Sequence, residues 1–398
     1  MKWEKVKLGN VTDSCLGKML DQNKNKGDYQ PYLANVNVRW GEFDLEDLPL
    51  MKFEESEQER YELKYGDLVI CEGGEPGRCA IWKEQIPNMK IQKALHRVRV
   101  HDCIDYRYLF YWFLLAGKTG ELDQYFTGAT IKHMPGQKLK EVVIDKPPLE
   151  IQHRIADILS AYDDLIENNQ KQIKLLKEAA QRLYKEWFVD LHFPGHENTK
   201  IVDGVPEGWS KSTVSEVSAV LRRGISPKYN EKARGIVINQ KCIRQTIVSY
   251  DEARTQEKKY PAELEMMESD IVICSTGAGT LGRVGQIFEA KGNATLDSHV
   301  TLIRANEKIG QQSLFWSLKM KQDYLMSAGK GSTNQLELSR ETIGSCEILI
   351  PERKIAEQVE KNFVAIHNKM KECSMQIARL REVRDLLLPK LMSGEMKV

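Results

Sequence analysis

No CxxC pair occurs among the eight cysteines, so the thiols support neither a zinc site nor a disulfide framework. No run of eighteen apolar residues is present to cross a membrane. The opening MKWEKVKLGN lacks the apolar core of a secretion signal, and a cytoplasmic protein is expected. The eight histidines are scattered without HExxH spacing, and neither a nucleophile elbow nor a Walker lysine appears. Carboxylates fall mostly in charge runs such as EESEQER at 54–60. Nothing argues for catalysis, for a metal or for a cofactor in this chain. A net charge of +1 decides nothing about partners, because a neutral total can hide a basic face.

What is present is a folded composition, 41% hydrophobic and 29% charged, over 398 residues, too long for one ordinary core. Residues 147–188 start at Pro147-Pro148 and then run for forty residues without glycine or proline. Apolar or aromatic side chains recur at Ile151, Ile155, Ile158, Tyr162 and Leu165 and, after polar Asn169 and Gln172, at Leu176, Ala180, Leu183 and Trp187. That 4-3-4-3 spacing predicts a coiled-coil helix whose seam needs a partner. At roughly 1.5 Å per residue such a helix is about 60 Å long, more than an ordinary amphipathic helix on a single core.

The partner emerges from an internal repeat. GDLVIC at 66–71 recurs as SDIVIC at 269–274, and KALHRVRV at 93–100 is matched less closely by LDSHVTLI at 296–303. GATIKHM at 128–134 corresponds to GSTNQLE at 331–337, and Pro148 to Pro351. Trp3 and Trp209 open the two halves. The second half ends in a long run carrying Ile355, Val359, Phe363, Ile366, Met370, Cys373, Ile377, Leu380 and Leu387 at the same spacing. The two helices are expected to pair antiparallel, with a Pro/Gly/Asn-rich surface linker between the halves. Short β-branched runs such as DLVICE, HRVRV, DIVICST and VTLIR predict strands. DYRYLFYWFLLAG and QQSLFWSLKMKQDYLMSAG predict short helices.

Two motifs mislead. Gly277-Ala278-Gly279-Thr280-Leu281-Gly282 matches the dinucleotide fingerprint in spacing only, since a strand-like segment follows where a helix should open. It reads as a hairpin turn. Asp145-Lys146-Pro147-Pro148 approaches the amino-methyltransferase motif, but a lysine intervenes, Leu149 replaces the aromatic, and no glycine-rich cofactor loop precedes it. The prolines read as the end of a strand and the first turn of a helix. His96 and His299, aligned by the repeat, read as structural histidines.

Candidate ligand contacts cluster in loops. Arg78 and Arg283 lie beside small residues, with Thr276 and Thr280 in the second half, and an arginine fork can hold a phosphate or a guanine edge. Thr127, Thr130, Lys132 and His133 are matched by Lys330, Ser332, Thr333, Asn334 and Gln335. A third group is Arg222, Arg223, Lys228 and Tyr229, and Asn37, Arg39, Lys93 and Lys241 complete the set. Amides can pair with adenine, while lysines and hydroxyls hold phosphates. Each of these loops is equally compatible with a merely solvated surface.

Two variable domains, each followed by a long helix, with VPEGW at 205–209, the PPLEIQHRIADILSAYDDLIENN run and WFVDLHFPG at 187–195, resemble the specificity subunit of a type I restriction-modification system. The resemblance covers essentially the whole chain. It implies an α+β fold in which two pseudo-repeated mixed α/β target-recognition domains, 1–146 and 209–349, are separated by a pair of long antiparallel coiled-coil helices, 147–190 and 350–398, with a linker at 191–208. It further implies that each domain reads one half of a bipartite double-stranded DNA target. The helices would set the gap and dock two methyltransferase subunits, to which restriction/translocase subunits add. S-adenosylmethionine, ATP and magnesium belong to those partners. Leu149-Glu150-Ile151-Gln152 faces Glu352-Arg353-Lys354-Ile355 in the alignment of the halves, so the two docks need not be equally strong, and the differing loops imply an asymmetric target. The competing readings are a coiled-coil adaptor whose two domains bind proteins and, disfavoured by the missing cofactor motifs, a self-sufficient methyltransferase.

Overall fold

The computed structural model describes residues 3–21, 25–277, 279–329 and 336–398. The chain forms two compact units, Met1–Glu167 with Ile377–Val398, and Asn168–Gln376.

In the first unit a four-stranded antiparallel sheet runs in the order Thr12–Leu16, Leu95–Val100, Leu68–Cys71, Cys79–Ile81. A three-stranded sheet places Asp28–Leu33 between Leu50–Phe53 and Lys90–Ile91. The apolar run Leu68–Cys71 is wholly buried, as β-branched and aliphatic residues on both faces of a central strand require. The helix Tyr106–Thr119 is N-capped by the Asp105 carboxylate, which accepts from the Arg107 and Tyr108 amides, and its aromatic face fills the core. The opening of the chain forms the strand Glu4–Lys7, paired with Val143–Lys146, and a short 3-10 turn at Leu8–Asn10.

The second unit repeats this plan. Its sheets run Ser218–Arg223, Val300–Ala305, Ile271–Cys274, Val284–Gln286, and Arg254–Gln256, Gly235–Ile238, Ala294–Leu296. Ile271–Cys274 and Val284–Gln286 pair antiparallel, so the glycine-rich stretch between them is a hairpin connection. The helix expected over 311–329 breaks into Gln311–Met320 and Gln322–Ser327. The supposed surface linker is partly buried, because Phe193 packs against Trp209 with ring centroids 4.7 Å apart and the planes tilted by 42°.

One ion pair, a buried carboxylate held by a partly exposed arginine, recurs in both units. Arg99 grips Asp67 through two 2.7 Å bonds, and Arg304 grips Asp270 at 2.6 and 2.8 Å. Each carboxylate also accepts a backbone amide, from Lys64 and Met267 respectively. Removing the arginine would leave the buried carboxylate without its counter-charge, which is strongly destabilising.

The registers also correct the repeat. Leu68 faces Val98, and Ile271 faces Ile303, so the strand after the hairpin is shifted by 205 residues rather than 203. His96 therefore corresponds to Thr301, not His299. His96 is buried, bonds the Met134 carbonyl at 2.9 Å, and burial pushes its pKa down. Thr301 is buried against the Ser275 hydroxyl at 2.6 Å. His299 is exposed and meets the Thr276 hydroxyl at 2.7 Å.

The long helices are Leu149–Tyr184, ending in a π-turn at Lys185–Val189, and Arg353–Met392. Within the first unit Asp163 pairs with Arg384 at 2.5 Å and Arg154 reaches the Val398 carbonyl at 3.2 Å, so the partner number rises as the first falls. Within the second unit the Cys373 thiol faces the Gln172 side-chain oxygen at 3.8 Å, while Ala180 and Tyr184 share a core with Ile355 and Val359. The pairing is antiparallel in each unit. Val359, Phe363, Met370, Cys373 and Ile377 are buried along the second helix, with Ile366 and Leu380 half-buried. On the first helix Ile155 is buried, and Tyr162, Leu176 and Leu183 are half-buried. Ile158 and Leu165 are exposed instead of lying in the seam, where Leu159 and Ile166 are buried. There the helix covers the domain core as well as its partner, and the buried stripe widens around Gln152, Ile155, Ala156 and Leu159. Buried Asn169 sits between the two halves of the seam.

In the second unit the second long helix is fixed to its domain by Glu360, which accepts from the amides of Gln312 and Ser313 at 3.0 and 2.8 Å. His367 meets the Gln286 side-chain oxygen at 3.1 Å and the Ser269 hydroxyl at 3.4 Å, with the Phe288 ring centroid 4.4 Å away. Burial pushes His367 down to about 4, with nearby Glu268 opposing and Lys371 assisting. Its folded pKa lies below the ordinary 6.5, so the stability it confers is complete above that value and is lost as pH falls towards about 4. Between pH 7 and pH 5 the unfolding free energy should fall by about 2 kcal/mol more in the wild type than in His367→Gln. Denaturant unfolding at the two pH values measures this, and parallel declines in the two proteins would contradict it.

Candidate nucleic-acid interface

In both units the hairpin after the central buried strand sits against a 3-10 turn. The Cys71 thiol points at the Asn35 carbonyl and the Cys274 thiol at the Gln240 carbonyl, both at 4.0 Å. The turns are Asn35–Asn37 and Gln240–Cys242. A third segment closes each cluster: His133 bridges Gly73 in the first unit and Glu337 bridges Thr276 in the second. Three chain segments distant in sequence thus meet beside the hairpin.

The hairpins differ in length. Cys71 and Cys274 accept equivalent places, bonding back to the carbonyls of Arg78 and Arg283, so two extra residues lie in the second loop. Arg78 and Arg283 are therefore structural equivalents, and Glu75 corresponds to Thr280, because the Arg78 amide bonds the Glu75 carbonyl as the Arg283 amide bonds that of Thr280. The substitution changes the charge. Arg78 is neutralised by Glu75 at 2.8 Å and donates to the Asn35 carbonyl at 2.9 Å, while Glu75 also accepts from the Trp40 indole at 2.7 Å. Arg283 has no carboxylate within ion-pair distance among the described residues, and the Thr280 hydroxyl turns inward to the carbonyls of Thr276 and Gly277. The uncompensated charge is felt nearby: burial, then Lys177 and Arg283, push Lys319 down to about 8.

The other expected contacts separate into available and engaged groups. Lys93, Arg39, Lys241, Thr127, Thr130, Lys132 and His133 are exposed, with the Arg39 guanidinium donating to the carbonyls of Val36 and Val38 and Lys132 pairing with Asp123 at 3.6 Å. Thr276 is half-buried against His299. Asn37 is not available: its carboxamide accepts from the Ala34 amide at 3.0 Å and donates to the Asp44 carbonyl at 3.1 Å. Asn35 and Gln240, the half-exposed first residues of the same turns, are the amides the sequence reading missed, and Gln240 accepts from the Thr276 hydroxyl at 3.5 Å; the register of the repeat identifies them. Arg222 pairs with Glu263, and Arg223 with Glu337 at 2.6 Å and the Leu338 carbonyl at 2.9 Å. Lys228 pairs with Glu257, and the Arg254 guanidinium lies 3.4 Å over the Tyr229 ring. That third group is thus tied into its own surface. Lys330, Ser332, Thr333, Asn334 and Gln335 lie outside the described residues. Among the described residues no cluster of His, Cys, Asp or Glu could hold a metal ion, and no helix is long and apolar enough to cross a membrane.

Two mixed domains with paired loop clusters, alternating with two long helices, define a duplicated recognition scaffold. The family model described as "Type I restriction modification DNA specificity domain" matches residues 1–178 and again 206–372, and the chain belongs to that family. It is 28% identical over 347 residues to the MjaIX specificity subunit of Methanocaldococcus jannaschii, covering 84% of this chain and 78% of that protein. It is 23% identical to the HindI specificity subunit of Haemophilus influenzae, covering 99% of both chains. The crystal structure of a type I S subunit from M. genitalium superposes with a TM-score of 0.58 at 17% identity, covering 98% of this chain and 96% of that one, and so shares its fold.

Because Arg283 has no counter-ion among the described residues and Arg78 has one, Arg283→Ala is expected to weaken binding to the target duplex by about 1–3 kcal/mol, and Arg78→Ala by less. Titration of the assembled complex against duplex DNA checks both. Equal losses would show that Glu75 does not mask its neighbour.

Proposed function

We propose that this specificity subunit is a non-catalytic reader in which each unit recognises one half of a bipartite, asymmetric double-stranded DNA target. The observation that supports this most directly is the loop pair just described. The same scaffold carries a neutralised Arg78 with Glu75 and Trp40 in one unit and, in the other, on a hairpin two residues longer, an Arg283 with no ion-pair partner among the described residues. Identical half-sites would ask for identical loops. Arginine and amide side chains at such positions suit base edges, while the exposed lysines suit phosphates.

The recognition domains are taken as 1–146 and 209–349, with the spacer helices at 147–190 and 350–398 around the linker at 191–208. The helices set the gap between half-sites and dock two methyltransferase subunits. Both carry apolar side chains left in water: Ile158 and Leu165 on the first, Val383 and Leu386 on the second, the last 62% exposed. In the first unit these offer a partner the apolar contact that a soluble helix pair does not itself need. Restriction/translocase subunits join through the methyltransferases. S-adenosylmethionine, ATP and magnesium are bound by those partners, which carry the chemistry in the cytoplasm and flip the target adenine out of the stack. The adaptor reading, in which the domains bind proteins, has no observation in its favour over this one.

If helix length is the ruler, inserting one matched heptad into both helices, within 160–180 and its antiparallel counterpart, lengthens the recognised gap by roughly 10 Å, or about three base pairs. Methylation mapping of the assembled complex reads the gap directly. An unchanged gap would show that the helices do not set it.

A further inference from the structure

We infer that Ile131 is a specificity residue of the first half-site and contacts the C5 methyl group of a thymine in the major groove. The inference rests on the reading of the first unit as a DNA reader.

Ile131 lies in a loop whose backbone is fixed before any ligand arrives. The Thr127 amide donates to the His133 carbonyl at 2.7 Å, and the His133 amide returns the bond to Thr127 at 2.8 Å. Gly128 holds φ at +94°, and a Cβ there would stand 2.2 Å from the Ile131 carbonyl oxygen, so only glycine fits. His133 ties the loop to Gly73 of the candidate reading hairpin. The Lys132 ammonium is drawn aside, 3.6 Å from the Asp123 carboxylate and 5.7 Å from the Phe126 ring centroid. What the closed loop presents at its tip is Ile131, 65% exposed, over a cleft of about 600 Å³ bordered by Trp40, Phe126 and Lys132.

A single exposed aliphatic side chain on an ordinary surface needs no explanation. Here, however, a glycine-dependent, internally bonded loop holds it among hydroxyls and a cation, beside the hairpin that carries Arg78. An aliphatic group cannot discriminate donors from acceptors. The apolar feature that a base edge offers in the major groove is the thymine methyl. The Thr130 hydroxyl beside it would engage a neighbouring phosphate.

The test uses the assembled methyltransferase complex, once its target has been mapped, on duplexes in which each thymine of the first half-site is replaced singly by uracil. That exchange removes only the methyl group. The wild type should methylate one such duplex about fourfold more slowly, as expected for one buried methyl. Ile131→Ala should show the same loss on the thymine duplex and no further loss with uracil, and Ile131→Val should fall between. Indifference of the wild type to every substitution, or retained sensitivity in Ile131→Ala, would overturn the inference. So would a variant weakened equally on all duplexes while the wild type ignores uracil, which would make Ile131 a wedge. Absence of any bipartite methylation would overturn the underlying reading and this inference together, whereas bipartite methylation with one of the preceding results would remove the inference alone.

Discussion

The apolar stripes along Leu149–Tyr184 and Arg353–Met392 cannot stay in water, and each covers the other in both compact units. Burial at roughly 25 cal/mol per Å² of apolar surface makes this seam the strongest constraint on how the chain can be arranged. Each domain then fastens itself to a helix with polar contacts specific to its own unit. Arg107 and Tyr111 reach Asp157 and Asp163 at 2.6 Å in the first, and Glu360 and His367 do the corresponding work in the second. These polar contacts, from the exposed Arg107–Asp157 pair to the buried His367–Gln286 one, orient each domain on its helix without adding greatly to net stability.

Duplication supplies two copies of a scaffold, and divergence at a few loop positions supplies two different surfaces. The central strands, the Asp67–Arg99 and Asp270–Arg304 pairs and the 3-10 turns are retained. Exchanging glutamate for threonine at the Glu75 and Thr280 position and lengthening one hairpin by two residues changes the charge offered to a ligand. Leu281 of the longer hairpin is buried in the core of its unit and anchors the loop, while the positions on either side of it, Thr280 and Arg283, are free to differ from those of the first unit.

Much of the architecture is legible in the sequence because the informative segments are strongly patterned. GDLVIC and SDIVIC announce the repeat, and the second helix shows its seam at the expected spacing. The errors have physical causes. Matching His96 to His299 aligned two histidines across a two-residue insertion; the ladder shows Thr301 in that place. Ile158 and Leu165 fit the heptad, but the first helix also covers a domain core there, which turns Leu159 and Ile166 inward. At the interface, residue type marks Arg78 and Arg283 as candidates, yet nothing in the chain's order shows that Glu75 masks one and not the other. Nor does it show that the Asn37 carboxamide is bonded to Ala34 and Asp44 while that of Gln240 accepts from Thr276 of the hairpin. Such distinctions depend on partners far apart in sequence.

The claim that two diverged readers are held at a set separation is tested most directly by mapping adenine methylation in DNA modified by the complex assembled around this chain. The account predicts one bipartite motif, two different short half-sites separated by a gap of constant length. A palindromic motif, a continuous one, or half-sites at variable spacing would contradict it.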